Sequence, residues 1–359
     1  MSYYAVVSPG LEKLACQELL EKFPGTNVRI SHGGLEIDLD LQSGFVLNHT
    51  LKIPTRILFR LMQAKVRDLP KLYKKVKALD WRPFYIQAPI LEVIHVSAHS
   101  SRLFDERKIK KATKDAIEDF FKGTQAKKVD TERLKDIVKD HCPALYLRFK
   151  DDELTLSIDT SGDRLDRRGK RSWIGMAPLR ETYAHACLLA LKEKIEIDAP
   201  LCDPMSGSGV FAREALDWNK NNNDRYFSYQ SFPITKEVQF PAESETPWKN
   251  IIAVESEAKT FEALKHNLKD EVRCIQANAL ENLEISPGSI LIANPPYGIR
   301  LKLDNPVAFL NHVVEKLMSY QPKALALLIP KDIKINRRYE LLLEFSNGGI
   351  PVKLIYFKG

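Results

Sequence analysis

Cysteine is scarce in this chain of 359 residues, which has only five. Cys16, Cys142, Cys187, Cys202 and Cys274 are odd in number, widely spaced, and never arranged as C-x-x-C. Neither a disulfide framework nor a zinc site is expected, no metal is expected at all, and the thiols read as small core residues of a protein in a reducing cytoplasm. No apolar run approaches the ~18–20 residues of a membrane span, so no membrane partner is expected. The first residues, Met1-Ser2-Tyr3-Tyr4-Ala5-Val6-Val7, show neither a basic region nor a long hydrophobic stretch, so no secretory leader is expected. Both G-x-G-x-x-G and G-x-x-x-x-G-K-[ST] are missing, which weighs against a dinucleotide site and a phosphate loop. The eight histidines (32, 49, 95, 99, 141, 185, 266, 312) form no two-histidine metal motif and no Ser–His–Asp order. Each reads as a surface or hydrogen-bonded core residue.

With 44% hydrophobic and 28% charged residues the chain can build a full core, and its length suggests two or three domains. The net charge of +7 is unevenly placed. Residues 1–150 hold 27 Lys+Arg and 18 Asp+Glu, giving +9; the remaining 27 and 29 give −2. A basic module joined to a near-neutral one suggests a polyanion-binding part tied to something else. Residues 1–54 read as a small α/β module with a hairpin at Gly33-Gly34. Residues 55–160 read as a second α/β module, with an amphipathic helix over 105–121 and a hairpin around 150–153. That helix carries Lys108, Lys110, Lys111 and Lys114 opposite its apolar stripe, a face suited to tracking phosphates. Arg164, Arg167, Arg168, Lys170 and Arg171 follow in what reads as an exposed connector.

From about 176 onward helices and short buried strands alternate. This pattern implies a doubly wound, mostly parallel sheet, closed by an antiparallel pair around Asn347-Gly348-Gly349. The Asn-rich, aromatic stretch 219–248 interrupts the rhythm and reads as an insertion. Asp203-Pro204-Met205-Ser206-Gly207-Ser208-Gly209 lies at a strand-to-helix turn, where glycines allow a ligand to approach the backbone and the helix start offers free N–H groups. Glu255 ends the next strand and could accept both hydroxyls of a ribose. Asn278, beside Ala279, follows the third and could meet an adenine edge. Asn294-Pro295-Pro296-Tyr297-Gly298 follows the fourth. Its prolines stiffen the backbone. The Asn294 amide oxygen and the Pro295 carbonyl could accept both hydrogens of an exocyclic amine, and Tyr297 offers a stacking face.

These motifs, in this order, resemble those of class I S-adenosylmethionine-dependent amino-methyltransferases. More narrowly, the chain is similar to the THUMP-domain RNA guanine-N2 methyltransferases. The segment 159–169 (DTSGDRLDRRG), the run Ala177-Pro178-Leu179-Arg180-Glu181 and the opening Ser8-Pro9-Gly10-Leu11-Glu12 resemble that family too. The family often has Cys, Thr and Asp where Ser206, Val210 and Asn278 stand. The resemblance implies an N-terminal ferredoxin-like module (1–54), a THUMP RNA-binding domain (55–160) and a Rossmann-like methyltransferase domain (161–359). It implies cofactor contacts from Pro178, Leu179, Asp203, Pro204, Ser206, Gly207, Ser208, Gly209, Glu255, Asn278, Ala279 and Asn294, and catalysis at Asn294, Pro295, Pro296 and Tyr297. RNA contacts are expected from the four lysines and from Arg164, Arg167 and Arg168. The implied substrate is structured RNA, ribosomal first and transfer RNA second, with S-adenosylhomocysteine as product. Two rivals are a DNA adenine-N6 methyltransferase and a non-catalytic RNA-binding protein on the same fold. Some members carry a second methyltransferase domain, and none is expected here. A fragment beginning near Asp159 is expected to fold and bind the cofactor by itself.

Overall fold

The computed structural model describes residues 1–88, 93–123, 142–169, 171, 173, 179–236, 238–296 and 305–359. Two seven-stranded sheets organise them. The first takes its strands from β1 (Ser2–Val6), β2 (Asn27–Ser31), β3 (Gly34–Asp38), β4 (Arg56–Lys65), β5 (Ile94–His99), β6 (Leu145–Lys150) and β7 (Glu153–Asp159). Their order is β2-β3-β1-β4-β7-β6-β5, and only β5 and β6 run parallel. Residues 1–54 and 55–160 therefore share one sheet, joined where Tyr4 sits opposite Leu58. Burial alternates along these strands as a half-covered sheet requires: Leu35 and Ile37 are buried where Glu36 is not, and Ile94 where His95 is not. Helices α1 (Glu12–Lys22), α2 (Leu41–Thr50), α3 (Leu69–Lys77) and α4 (Glu106–Gly123) accompany this sheet. Asp40 caps α2 by accepting from the N–H groups of Gln42 and Ser43, and Asp68 caps α3 through Lys71 N–H.

The second sheet contains β8 (Pro200–Asp203), β9 (Lys249–Glu255), β10 (Arg273–Gln276), β11 (Ile290–Ala293), β12 (Ala324–Pro330), β13 (Glu340–Asn347) and β14 (Ile350–Lys358). Its order is β10-β9-β8-β11-β12-β14-β13, parallel except for β14, which is antiparallel to both neighbours. Helices α5 (Glu181–Lys192), α6 (Val210–Leu216), α7 (Ala258–Leu268) and α8 (Pro306–Ser319) belong to this half. Strands β11 and β12 are apolar throughout and buried on both faces, as central parallel strands must be. The doubly wound sheet and its antiparallel end match the sequence reading. The chain winds outward from β8 in both directions, so a crevice opens between the carboxyl ends of β8 and β11, where open α/β sheets take their ligands.

Candidate active site

Asp203 ends β8 and is fully buried, with Oδ1 accepting from Met205 N–H at 3.1 Å. Burial, and then the nearby charge of Glu255, push its carboxyl up to about 7. Ser206 stitches the turn to β9: its N–H donates to Val254 O (2.8 Å), and its Oγ donates to Asp203 O (2.9 Å) and accepts from Val254 N–H (3.1 Å). Glu255 reaches the same turn. One carboxylate oxygen accepts from Gly207 N–H (3.0 Å) and the other from Glu257 N–H (2.8 Å). Gly207 has φ +52° and a side chain there would point into open space, leaving a cradle of exposed backbone. Gly209 has a different reason to be glycine. At φ +87°, a Cβ would come within 2.7 Å of Leu264, so its absence lets α6 close on α7.

Two residues that the sequence reading did not single out for this loop hold it from behind. The Arg171 guanidinium donates to Ser208 Oγ at 2.9 Å, to Leu179 O at 3.3 Å and to Glu181 at 2.8 Å. Asn267 on α7 donates from Nδ2 to Ser208 O (3.0 Å) and to Trp173 O (2.7 Å). In sequence Arg171 looks like one more cation in a basic run; Glu181, ten positions later, is the only hint of a buried partner.

Asn278 follows β10. Its Oδ1 accepts from Leu280 N–H (3.0 Å), its Nδ2 donates to Glu281 (2.9 Å), and Ala279 beside it is buried. Asn294 follows β11, across the crevice from the Asp203 turn. It is half-buried, and its Oδ1 lies out of solvent with no hydrogen-bond partner among the described residues. Leaving such an oxygen unpaired costs about 1–3 kcal/mol, so it is a position that suits an incoming N–H donor. Pro295 is buried and Pro296 exposed. Tyr297 and Pro178 lie outside the described residues.

The residues expected to meet RNA divide. On α4, Lys108 pairs with Asp105 (3.4 Å), Lys110 with Glu106 (2.5 Å) and Lys111 with Asp115 (2.7 Å), while Lys114 is exposed. Arg167 is exposed, and Arg164 is half-exposed and pairs with Asp166. The reading of Arg168 is corrected. Its side chain is only 6% exposed, donates to Lys52 O at 2.8 Å and lies 3.2 Å from Glu214, so no phosphate can reach it. Arg171 is likewise inside, and the connector is not uniformly exposed. Among the described residues, no cluster of His, Cys, Asp and Glu is arranged to hold a metal, and no helix is long and apolar enough to cross a membrane.

Residues 168–341 match the family model described as RMKL-like, methyltransferase domain. The chain is 27% identical to the ribosomal RNA large subunit methyltransferase K/L of Photobacterium profundum over 83% of its own length, but it spans only 44% of that relative. A candidate RNA methyltransferase of Synechocystis is 24% identical, with 99% of this chain and 96% of that protein covered. Among solved structures, SMU.472 complexed with SAH superposes over 100% of this chain and 98% of its own at a TM-score of 0.78 and 22% identity. TrmN from Thermus thermophilus covers 99% of both chains at 0.68 and 16%. The strand order, the turn after β8 and the carboxylate at the end of β9 define a class I methyltransferase fold. Within that class, the match over residues 168–341 is to the RMKL-like methyltransferase domain.

Proposed function

We propose that the chain transfers a methyl group from S-adenosylmethionine to the N2 amine of a guanosine in structured RNA, ribosomal RNA in the first instance. The unpaired Oδ1 of Asn294 is the observation that carries this reading. The cofactor fits the crevice chemically. Gly207 leaves backbone exposed with open space above it, and Glu255 keeps lone pairs for ribose hydroxyls after serving Gly207 and Glu257. S-adenosylmethionine supplies an electrophilic methyl carbon on a sulfonium. The chain's own part is placement: Asn294 Oδ1 and the Pro295 carbonyl accept the two N–H bonds of the amine and turn its lone pair toward that carbon, while Tyr297 stacks on the base. Guanine N2 is buried in a duplex, so the target base has to be unpaired or flipped. The name shared by the K/L relatives supports RNA as substrate, as does the +9 charge of residues 1–150. In this reading residues 1–54 and 55–160 are the ferredoxin-like and THUMP modules, residues 161–359 the catalytic domain, and the protein works in the cytoplasm.

The test is methyl transfer from labelled S-adenosylmethionine to ribosomal RNA, followed by digestion to nucleosides. N2-methylguanosine is expected. Asn294→Ala should slow transfer by about 10²-fold or more, typical of losing one group that stabilises developing charge, while cofactor affinity changes little by comparison. N6-methyladenine as product, or unimpaired turnover by Asn294→Ala, would overturn the assignment.

A further inference from the structure

The loop after β10 is fastened at both ends. Gln276 ends β10 in register with Glu255, and Ala277 N–H donates to Glu255 O at 3.1 Å, so the loop starts beside the carboxylate proposed for the ribose. Asn278 O then accepts from Glu281 N–H at 3.1 Å, which turns the chain. Tyr320, the C-cap of α8, holds the far side. Its hydroxyl accepts from Leu283 N–H (3.2 Å) and lies 3.0 and 2.9 Å from the carbonyl oxygens of Ala279 and Glu281, to either of which it can donate.

Within this frame the Asn278 amide has one orientation. Leu280 N–H is a donor and requires Oδ1 on its side (3.0 Å); the Glu281 carboxylate is an acceptor and requires Nδ2 on the other (2.9 Å). The amide oxygen is thus drawn into its own loop, and the group turned toward Glu281 is a donor. The amino edge of an adenine is a donor as well, so it repels Nδ2 and seeks an acceptor. Glu281 is exposed, gives one carboxylate oxygen to Asn278, and has no partner for the other among the described residues. A hydrogen bond to a carboxylate is roughly twice as strong as one to a neutral amide oxygen, which favours Glu281 over the remaining lone pair of Asn278.

We propose that Glu281, aimed by Asn278, accepts the adenine amine of S-adenosylmethionine and so sets the preference for adenine. Two residues then share the task that a single Asp at position 278 would perform: Asn278 orients, and Glu281 accepts. Tyr320 is a positioning residue, because it holds the backbone on either side of this pair. The inference rests on the cofactor reading of the crevice above and is independent of which RNA is methylated.

Calorimetry of the full chain with S-adenosylhomocysteine, and with S-inosylhomocysteine, which carries a carbonyl oxygen in place of the amine, tests the assignment. The parent should favour the adenine ligand about tenfold or more. Glu281→Ala should weaken S-adenosylhomocysteine about tenfold, in keeping with one lost hydrogen bond to a charged group, and erase most of the preference. Asn278→Asp placed in the Glu281→Ala background should recover both, because the Asp keeps one oxygen on Leu280 N–H and sets an acceptor where Nδ2 stood. That recovery also guards against a trivial folding defect. Tyr320→Phe should weaken both ligands alike and keep the preference, since it loosens the loop and leaves the acceptor. The proposal fails if Glu281→Ala binds S-adenosylhomocysteine as the parent does, if it keeps the parent's preference, or if the double variant recovers neither. The cofactor reading is judged separately. A parent that binds S-adenosylhomocysteine with Glu281→Ala unimpaired sinks only the role of Glu281, and a parent that binds neither ligand sinks the cofactor reading and this role with it.

Discussion

Gly207 N–H and Glu257 N–H each occupy one oxygen of Glu255, so this carboxylate shapes the turn as well as offering acceptors to a ligand. Glu255→Ala should therefore weaken S-adenosylmethionine by about 1.5–3 kcal/mol, the range of hydrogen bonds to charged groups, and calorimetry should read it. Unchanged affinity would mean that the ribose lies elsewhere. Arg171 acts one step further back, through Ser208 Oγ. Arg171→Gln should raise the KM for S-adenosylmethionine about tenfold and leave the KM for RNA alone. If the RNA KM rises instead, the connector does bind phosphate and the buried position misleads. At this scale the sequence was legible where a residue type sits at a strand end, as with Asp203, Glu255 and Asn294. It was opaque where a charged side chain turns inward, because Arg168 and Arg171 share a run with exposed Arg167. Asn278 shows a local reason for an unusual choice. Its Nδ2 donates to Glu281, a partner that the family's usual Asp would repel.

Among its described residues the stretch 219–248 has a single 3-10 turn, over Ser228–Ser231, yet Phe227, Ser228, Tyr229, Ser231 and Phe232 are packed like core. Tyr229 stacks on Phe45 of α2 at 4.5 Å between centroids, and its hydroxyl lies 2.7 Å from His49 Nε2. His49 Nδ1 is 2.8 Å from Asn223 Oδ1. With Nδ1–H donating there, Nε2 accepts the Tyr229 O–H, so a neutral imidazole satisfies every partner. Phe232 adds edge contacts to Phe45 and Phe84. The insertion thus fastens the methyltransferase half to the first sheet's helices. Its composition announced an interruption but not a destination, since a contact partner far along the chain leaves no periodic trace. Tyr229→Phe should cost about 1 kcal/mol for the lost hydrogen bond, and Tyr229→Ala about 3–5 kcal/mol for the lost ring, by chemical denaturation. His49 also sets a pH dependence. Burial pulls it down to about 4, so between the unfolded value near 6.5 and 4 the unfolded chain binds a proton that the folded one refuses. Stability present above pH 6.5 is then lost on acidification, at up to about 1.4 kcal/mol per pH unit for one proton. His49→Gln should be weaker at pH 7 but lose less between pH 7 and pH 5 than the parent; an identical loss would acquit His49.

Across the whole molecule the two halves meet through buried polar groups rather than a linker. Glu18 on α1 accepts from the N–H groups of Lys52 (2.7 Å) and Ile53 (3.0 Å), and lies 3.7 Å from His185 of α5. His185 stacks on Trp218 with centroids 4.3 Å apart, and Glu214 lies 3.6 Å from its other nitrogen. Thr182 Oγ1 and Arg168 both donate to Lys52 O, at 3.1 and 2.8 Å. Ten of the twelve residues of α5 are buried, far more than a one-sided surface helix hides. A cut near Asp159 would expose this helix and strip the seat from Tyr229. These shared groups argue against the sequence-based expectation that such a fragment folds alone: charge distribution separates the halves on paper, but it says nothing about which groups are shared between them. The full chain should unfold in one calorimetric transition, and a fragment covering 159–359 should be insoluble or lack a cooperative melt. Glu18→Ala should lower stability by about 3–5 kcal/mol, since removing one partner leaves buried N–H groups and nearby charge uncompensated. It should also lower the melting of the methyltransferase half, read as the temperature at which cofactor binding is lost, although Glu18 lies in the other half. Two separate transitions in the full chain, with Glu18→Ala moving only one of them, would show that the halves fold independently and that the buried contacts between them contribute little.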